Sequence, residues 1–184
     1  MRVRGPAPLL IQFLPLSLFT TYAFWEGGAP GPERWQTAFV LGAVATVLQL
    51  AITLPRKSPT NRLILAANLY LLVGGLATVA RQWRILELYG ILKESGLFAS
   101  MLLIGAATTL WSPAGYVGAA HADRRAVRVA SLWLYALTVL ALGMSLVFRG
   151  HSTWAAVVPV VALAISNRYL AHRLESRPGS AHAG

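Results

Sequence analysis

Long apolar blocks, not short alternations, organise this chain. Runs with few or no charges occupy roughly 7–25, 35–54, 63–80, 96–118, 128–148 and 153–170. Each meets or approaches the ~20 residues that a helix needs to cross about 30 Å of hydrocarbon. Backbone amides find no water in lipid, so runs of this kind are expected as helices that satisfy their own hydrogen bonds. The pattern predicts an all-α fold, a polytopic integral membrane helical bundle of about six transmembrane helices. A single transmembrane helical domain is expected over 1–174, followed by a polar, disordered tail over 175–184.

The first run follows Arg2 and Arg4 but is long for a secretory signal and lacks a small-x-small cleavage site before Trp25, so it reads as a retained signal anchor. Pro15 falls in its middle, where it kinks a helix or lets a neighbour approach. "EGGAPGPER" (26–34) reads as a short outer turn. "RQWRILELYGILKES" (81–95) sets Ile85, Leu88, Tyr89 and Leu92 near one helical face and Arg81, Arg84, Glu87 and Glu94 on another. It is either an interfacial helix or an extension of the third and fourth spans beyond the membrane.

Charge sets the orientation. With the N-terminus in the cytoplasm, one side holds Arg2, Arg4, Arg56, Lys57, Arg62, Arg124, Arg125, Arg128, Arg168, Arg173 and Arg177. The other side holds Arg34, Arg81, Arg84, Lys93 and Arg149. The positive-inside rule then places both the N-terminus and the C-terminus in the cytoplasm. Trp25, Trp35, Trp83, Trp111 and Trp154 fall near the predicted ends, where interfacial anchors belong. Arg56, Lys57, Arg62, Arg124, Arg125 and Arg128 are the expected contacts to anionic lipid headgroups of the inner leaflet.

Composition agrees with a lipid solvent. Of the 184 residues, 56% are hydrophobic and 12% charged, about half the charged share of an ordinary soluble domain, and mean hydropathy is +0.57. The net charge of +10 would suggest nucleic acid in a soluble protein, but the arginines lie between apolar blocks and not among exposed aromatic platforms. No nucleic-acid partner is expected. The absence of cysteine excludes disulfides, thiolate nucleophiles and cysteine-ligated metals.

No ionisable residue lies near the centre of any predicted span, which argues against a proton-coupled pump. The polar residues left inside are Gln12, Thr46, Gln49 and Asn68, with scattered Ser and Thr. Amides in such places commonly bond helix to helix, and the alternative is a polar path for a substrate. Gly42, Gly74 and Gly75, with the pairs Gly96/Ser100, Gly105/Thr109 and Gly115/Ala119, supply small faces for close helix approach, within one chain or in a homodimer. "HADRRAVR" (121–128) is the richest polar segment, but one His and one Asp are too few for a dedicated metal site. No G-x-S-x-G, H-E-x-x-H or phosphate-cradling glycine loop occurs, so neither an enzyme nor a cofactor is expected.

"FLPLSLFTTYAF" (13–24), then "TAFVLGAVATVLQLAI" (37–52) and a basic loop beginning at Arg56 and Lys57, resembles the bacterial intracellular septation protein A family, also called YciB or IspZ. The matching positions are Phe13, Pro15, Phe19, Tyr22, Ala45, Thr46 and Gln49, with weaker likeness in "VGGLATV" (73–79) and "LFASMLL" (97–103). The likeness is best over 9–57 and maps no catalytic residue. It implies a small multi-pass protein of the bacterial inner membrane that serves envelope maintenance, elongation or septation through lipids and other membrane proteins of division or elongation. The residues alone leave two other readings open: a small lipid or solute transporter lined by the span amides, or an enzyme acting on lipid headgroups through "HADRRAVR".

Overall fold

The computed structural model describes residues 7–25, 31–53, 61–119, 123–151 and 153–176, and among them regular structure is entirely helical. The helices are α1 (Ala7–Ala23), α2 (Pro32–Thr53), α3 (Arg62–Val79), α4 (Trp83–Leu92), α5 (Ser95–Trp111) and α6 (Arg124–Val147), then a π-helical turn (Thr153–Val157) that leads into α7 (Val158–Glu175). Helices α2, α3, α6 and the π turn with α7 are long and apolar enough to cross a membrane, and α4 with α5 adds a fifth crossing if the pair is one broken span. At 17 residues each, α1 and α5 reach about 26 Å, a little short of the hydrocarbon thickness. These helices mark the chain as a membrane protein.

Local chemistry explains where the ends depart from the expected runs. Helix α5 stops at Trp111 instead of continuing to 118, because Ser112 precedes Pro113 and takes extended backbone (φ −102°, ψ 133°). Helix α6 starts at Arg124, four residues before the expected 128, because Asp123 caps it: its carboxylate accepts from Arg125 N at 2.8 Å. The π turn precedes Pro159, which lacks an N–H and would crowd the Ala155 carbonyl in a regular helix. The segment 81–95 contains its own ten-residue helix, set off from α3 at Arg81 (φ 52°) and from α5 at Lys93 (φ 47°), so it does not extend the third span. The tail from 177 onward lies outside the described residues, and Glu175 still belongs to α7.

Contacts gather into two compact units: one of α1, α2, α4 and α3 from Ile64, the other of Asn61–Leu63 with α5, α6 and α7. In the first, α1 packs along α2. Phe19 stands 5.3 Å from Trp35 and 5.0 Å from Phe39, ring centre to ring centre. Phe39 meets Tyr89 of α4 edge-on at 5.2 Å, Tyr70 and Tyr89 stack at 4.5 Å, and the Tyr89 hydroxyl donates to Tyr70 O at 2.8 Å. Helix α3 comes against α2 at Gly75, where an added Cβ would strike Ala43 and lie 2.7 Å from the Phe39 carbonyl oxygen.

In the second unit, α5 and α7 pack on α6. Val127, Ser131, Leu134, Thr138, Ala141 and Ser145 are buried at alternating steps of four and three, the seam of a helix bundle. On the opposite side Leu132, Trp133, Leu140 and Val147 are exposed. Apart from Val127 and Leu134, the inward residues are small or polar while large apolar ones point outward, the reverse of a water-soluble helix.

The approach at Gly75 predicts that Gly75→Leu lowers the midpoint of thermal unfolding in detergent, by an overpacking cost of about 1–3 kcal/mol. Gly143→Leu, where an added Cβ meets nothing within 4 Å, should leave the midpoint unchanged. Equal midpoints for the two variants would contradict the crossing.

Candidate functional site

Gln12, Thr46, Gln49 and Asn68 come together. All four are at most 3% exposed although they come from α1, α2 and α3. On α2 the positions Phe39, Gly42, Thr46, Gln49 and Thr53 step by three and four, which puts the polar residues on the buried seam with the glycine. The amide of Asn68 donates to Gln49 Oε1 at 2.9 Å and to the main-chain oxygen of Gln12 at 3.3 Å. The Gln49 amide donates onward to Thr53 Oγ1 at 3.4 Å, and that hydroxyl donates to Gln49 O at 2.8 Å. Thr46 Oγ1 donates to Gly42 O at 2.8 Å and approaches Asn68 O at 3.4 Å.

The network fixes its own orientation. A main-chain oxygen only accepts, so Asn68 must present nitrogen to Gln12, and the same nitrogen then serves Gln49. Pro15, fully buried, removes the donor that Ile11 O would have in an unbroken helix, and Asn68 reaches the adjacent carbonyl at this loosened turn. Asn68 Oδ1 is buried with no partner among the described residues.

The basic residues are placed differently. Arg56 and Lys57 lie outside the described residues, as does His121. Arg62 begins α3 half-buried: Nη2 donates to Ser112 Oγ at 2.7 Å, while Nη1 is buried without a partner among the described residues. Its guanidinium is therefore turned partly into the protein. Arg124, Arg125 and Arg128 are exposed on the first turns of α6, and Asp123, the acidic member of "HADRRAVR", is engaged as the cap of that helix.

Three further polar positions were not singled out by the sequence. Ser131 Oγ accepts from Tyr116 N at 2.9 Å and Thr138 Oγ1 lies 3.4 Å from the Tyr116 hydroxyl, holding the 112–119 connection against α6. Gly115 (φ +56°) permits this, because a Cβ there would strike Ser131. Asn167 is 6% exposed on α7 with Oδ1 buried and unpartnered among the described residues. The seam spacing of 131, 134 and 138 was the available signal for the first two, and for Asn167 its place inside the 153–170 run.

Comparison of the chain with family models, curated proteins and solved structures returned no match. The chemical content of the cluster lies in its geometry: uncharged donors and acceptors bonded to one another between three helices, with Asn68 Oδ1 left over among the described residues.

A double-mutant cycle tests the central bond. Asn68→Leu and Gln49→Leu should each lower stability by about 1–2 kcal/mol, since each leaves a buried polar partner unpaired. The double variant should lose less than the sum, with a coupling of roughly 0.6 kcal/mol. Strict additivity in detergent unfolding would show that the two amides do not interact.

Proposed function

We propose that this is a six-span protein of the bacterial inner membrane, with both termini in the cytoplasm, that serves envelope maintenance, elongation or septation through lipid and membrane-protein contacts and not through catalysis. The six spans are α1, α2, α3, α5, α6 and α7, with α4 interfacial. The observation that carries the reading is the bonding between helices in the amide core: Gln49, Asn68 and Thr46 bond across helices and are buried, an arrangement suited to cohesion. The resemblance to the septation protein A family adds support, since Pro15, Phe19, Ala45, Thr46 and Gln49 of the shared pattern are all buried. Basic residues at the start of α6 and the end of α7 suit an anionic inner leaflet.

A transport path along the same amides is the second reading, and Asn68 Oδ1, buried and without a donor among the described residues, is the feature that favours it. Proteoliposome flux abolished by Gln49→Leu would decide for transport. On the first reading, a fluorescent-protein fusion at the C-terminus lights up and an alkaline phosphatase fusion there stays inactive. Photo-crosslinkers at exposed Leu48 or Leu76 in native membranes should then capture membrane proteins of elongation or division. An active phosphatase fusion would overturn the topology, and clean failure of capture at endogenous expression would overturn the function.

A further inference from the structure

A cleft of about 310 Å³ opens between the start of α6 and the end of α7. We propose that it is a site for one anionic phospholipid, with Arg125 and Arg173 on the phosphate and Val129, Trp133 and Leu170 along the acyl chains. The proposal rests on the membrane reading above and adds to it a particular place and a particular lipid class.

The cleft is graded along the helix axis. Arg125, Val129 and Trp133 recur at steps of four and so share one face of α6, and Leu170, Arg173 and Leu174 close the other wall. Eight residues separate Arg125 from Trp133, a climb of about 12 Å from a charged rim to an apolar depth. Val129 and Trp133 are 49% and 64% exposed, so the apolar part is open to the side, where acyl chains lie. A free phosphate or a soluble anion would use only the rim. A phospholipid uses the whole length.

The charges favour a monoanion. The lining holds Arg125 and Arg173 against Asp123, a net charge of +1 that complements one phosphodiester. Asp123 spends one carboxylate oxygen on the helix cap, accepting from Arg125 N at 2.8 Å. Asp123 caps the N-terminus of α6, and the two arginines that follow it, Arg124 and Arg125, leave the first turn with a net positive charge that favours a bound anion. A guanidinium fork suits phosphate oxygens better than a point charge does.

The test is native mass spectrometry of the full-length chain in detergent, offered dioleoyl phosphatidylglycerol, dioleoyl phosphatidylcholine and free sn-glycerol 3-phosphate. The wild-type chain should retain one phosphatidylglycerol in preference to phosphatidylcholine, and sn-glycerol 3-phosphate should not displace it. Arg125→Gln and Arg173→Gln should each cut the preference roughly fivefold, and the double variant should abolish it. Arg149→Gln, remote in sequence from the cleft and exposed, should keep it. If the double variant does not remain monodisperse, the two single variants carry the test. Equal retention of the two lipids by wild type, an unchanged preference in the arginine variants, or displacement by sn-glycerol 3-phosphate would each overturn the site. Failure of the membrane reading is distinguishable, because the chain would then be monodisperse in buffer without detergent.

Discussion

Hydrocarbon offers no hydrogen-bond partner, and that single constraint decides which way each helix faces. A carbonyl, amide or hydroxyl on a spanning helix must find its partner inside the protein, since each one left unpaired in lipid is costly. Leucine and valine gain little by transfer from acyl chains as apolar as they are, so they turn inward only where packing uses them, as Val127 and Leu134 do. On α2 this sorts Thr46, Gln49 and Thr53 inward while Val44, Val47 and Leu48 stand 53–59% exposed. Gln49 sits in an apolar run because Asn68 lies across from it, 2.9 Å away.

The same constraint selects small residues at the crossings. Without a hydrophobic drive between helices, association depends on close van der Waals approach and on bonds between helices. Gly75 lets the backbone of α3 meet Ala43 and the Phe39 carbonyl, and that approach keeps α2 and α3 close enough for Asn68 to reach Gln49. In the second unit Ser131 and Thr138 play the equivalent part, with Gly105 making room for the Tyr116 ring. Two polar seams, one in each unit, follow from one rule.

Much of this was legible in the sequence. The apolar runs located the helices because their length is set by membrane thickness, and Gln12, Gln49 and Asn68 stood out as the amides well inside the first three runs, with Thr46 one turn from Gln49. The end of α5 was not legible from hydropathy: 112–118 is apolar enough to continue a span, and only Ser112–Pro113 with the positive-φ Gly115 turns the chain there. The polar role of α6 was hidden for a similar reason, since Ser131 and Thr138 resemble the scattered hydroxyls that simply bond their own helix. The cleft between α6 and α7 joins residues more than forty positions apart, and no local pattern announces such a pairing.

The native chain has no cysteine, so single thiols can report solvent directly. Leu48→Cys and Leu140→Cys place one on the exposed apolar face of each unit, at positions 59% and 66% exposed. The decisive measurement is their labelling by a water-soluble maleimide in intact membranes. Both thiols should stay unlabelled until the membrane is dissolved and the protein denatured. Rapid, complete labelling in the native membrane would mean that water, not lipid, covers these faces, and the inward sorting of polar groups would need another cause.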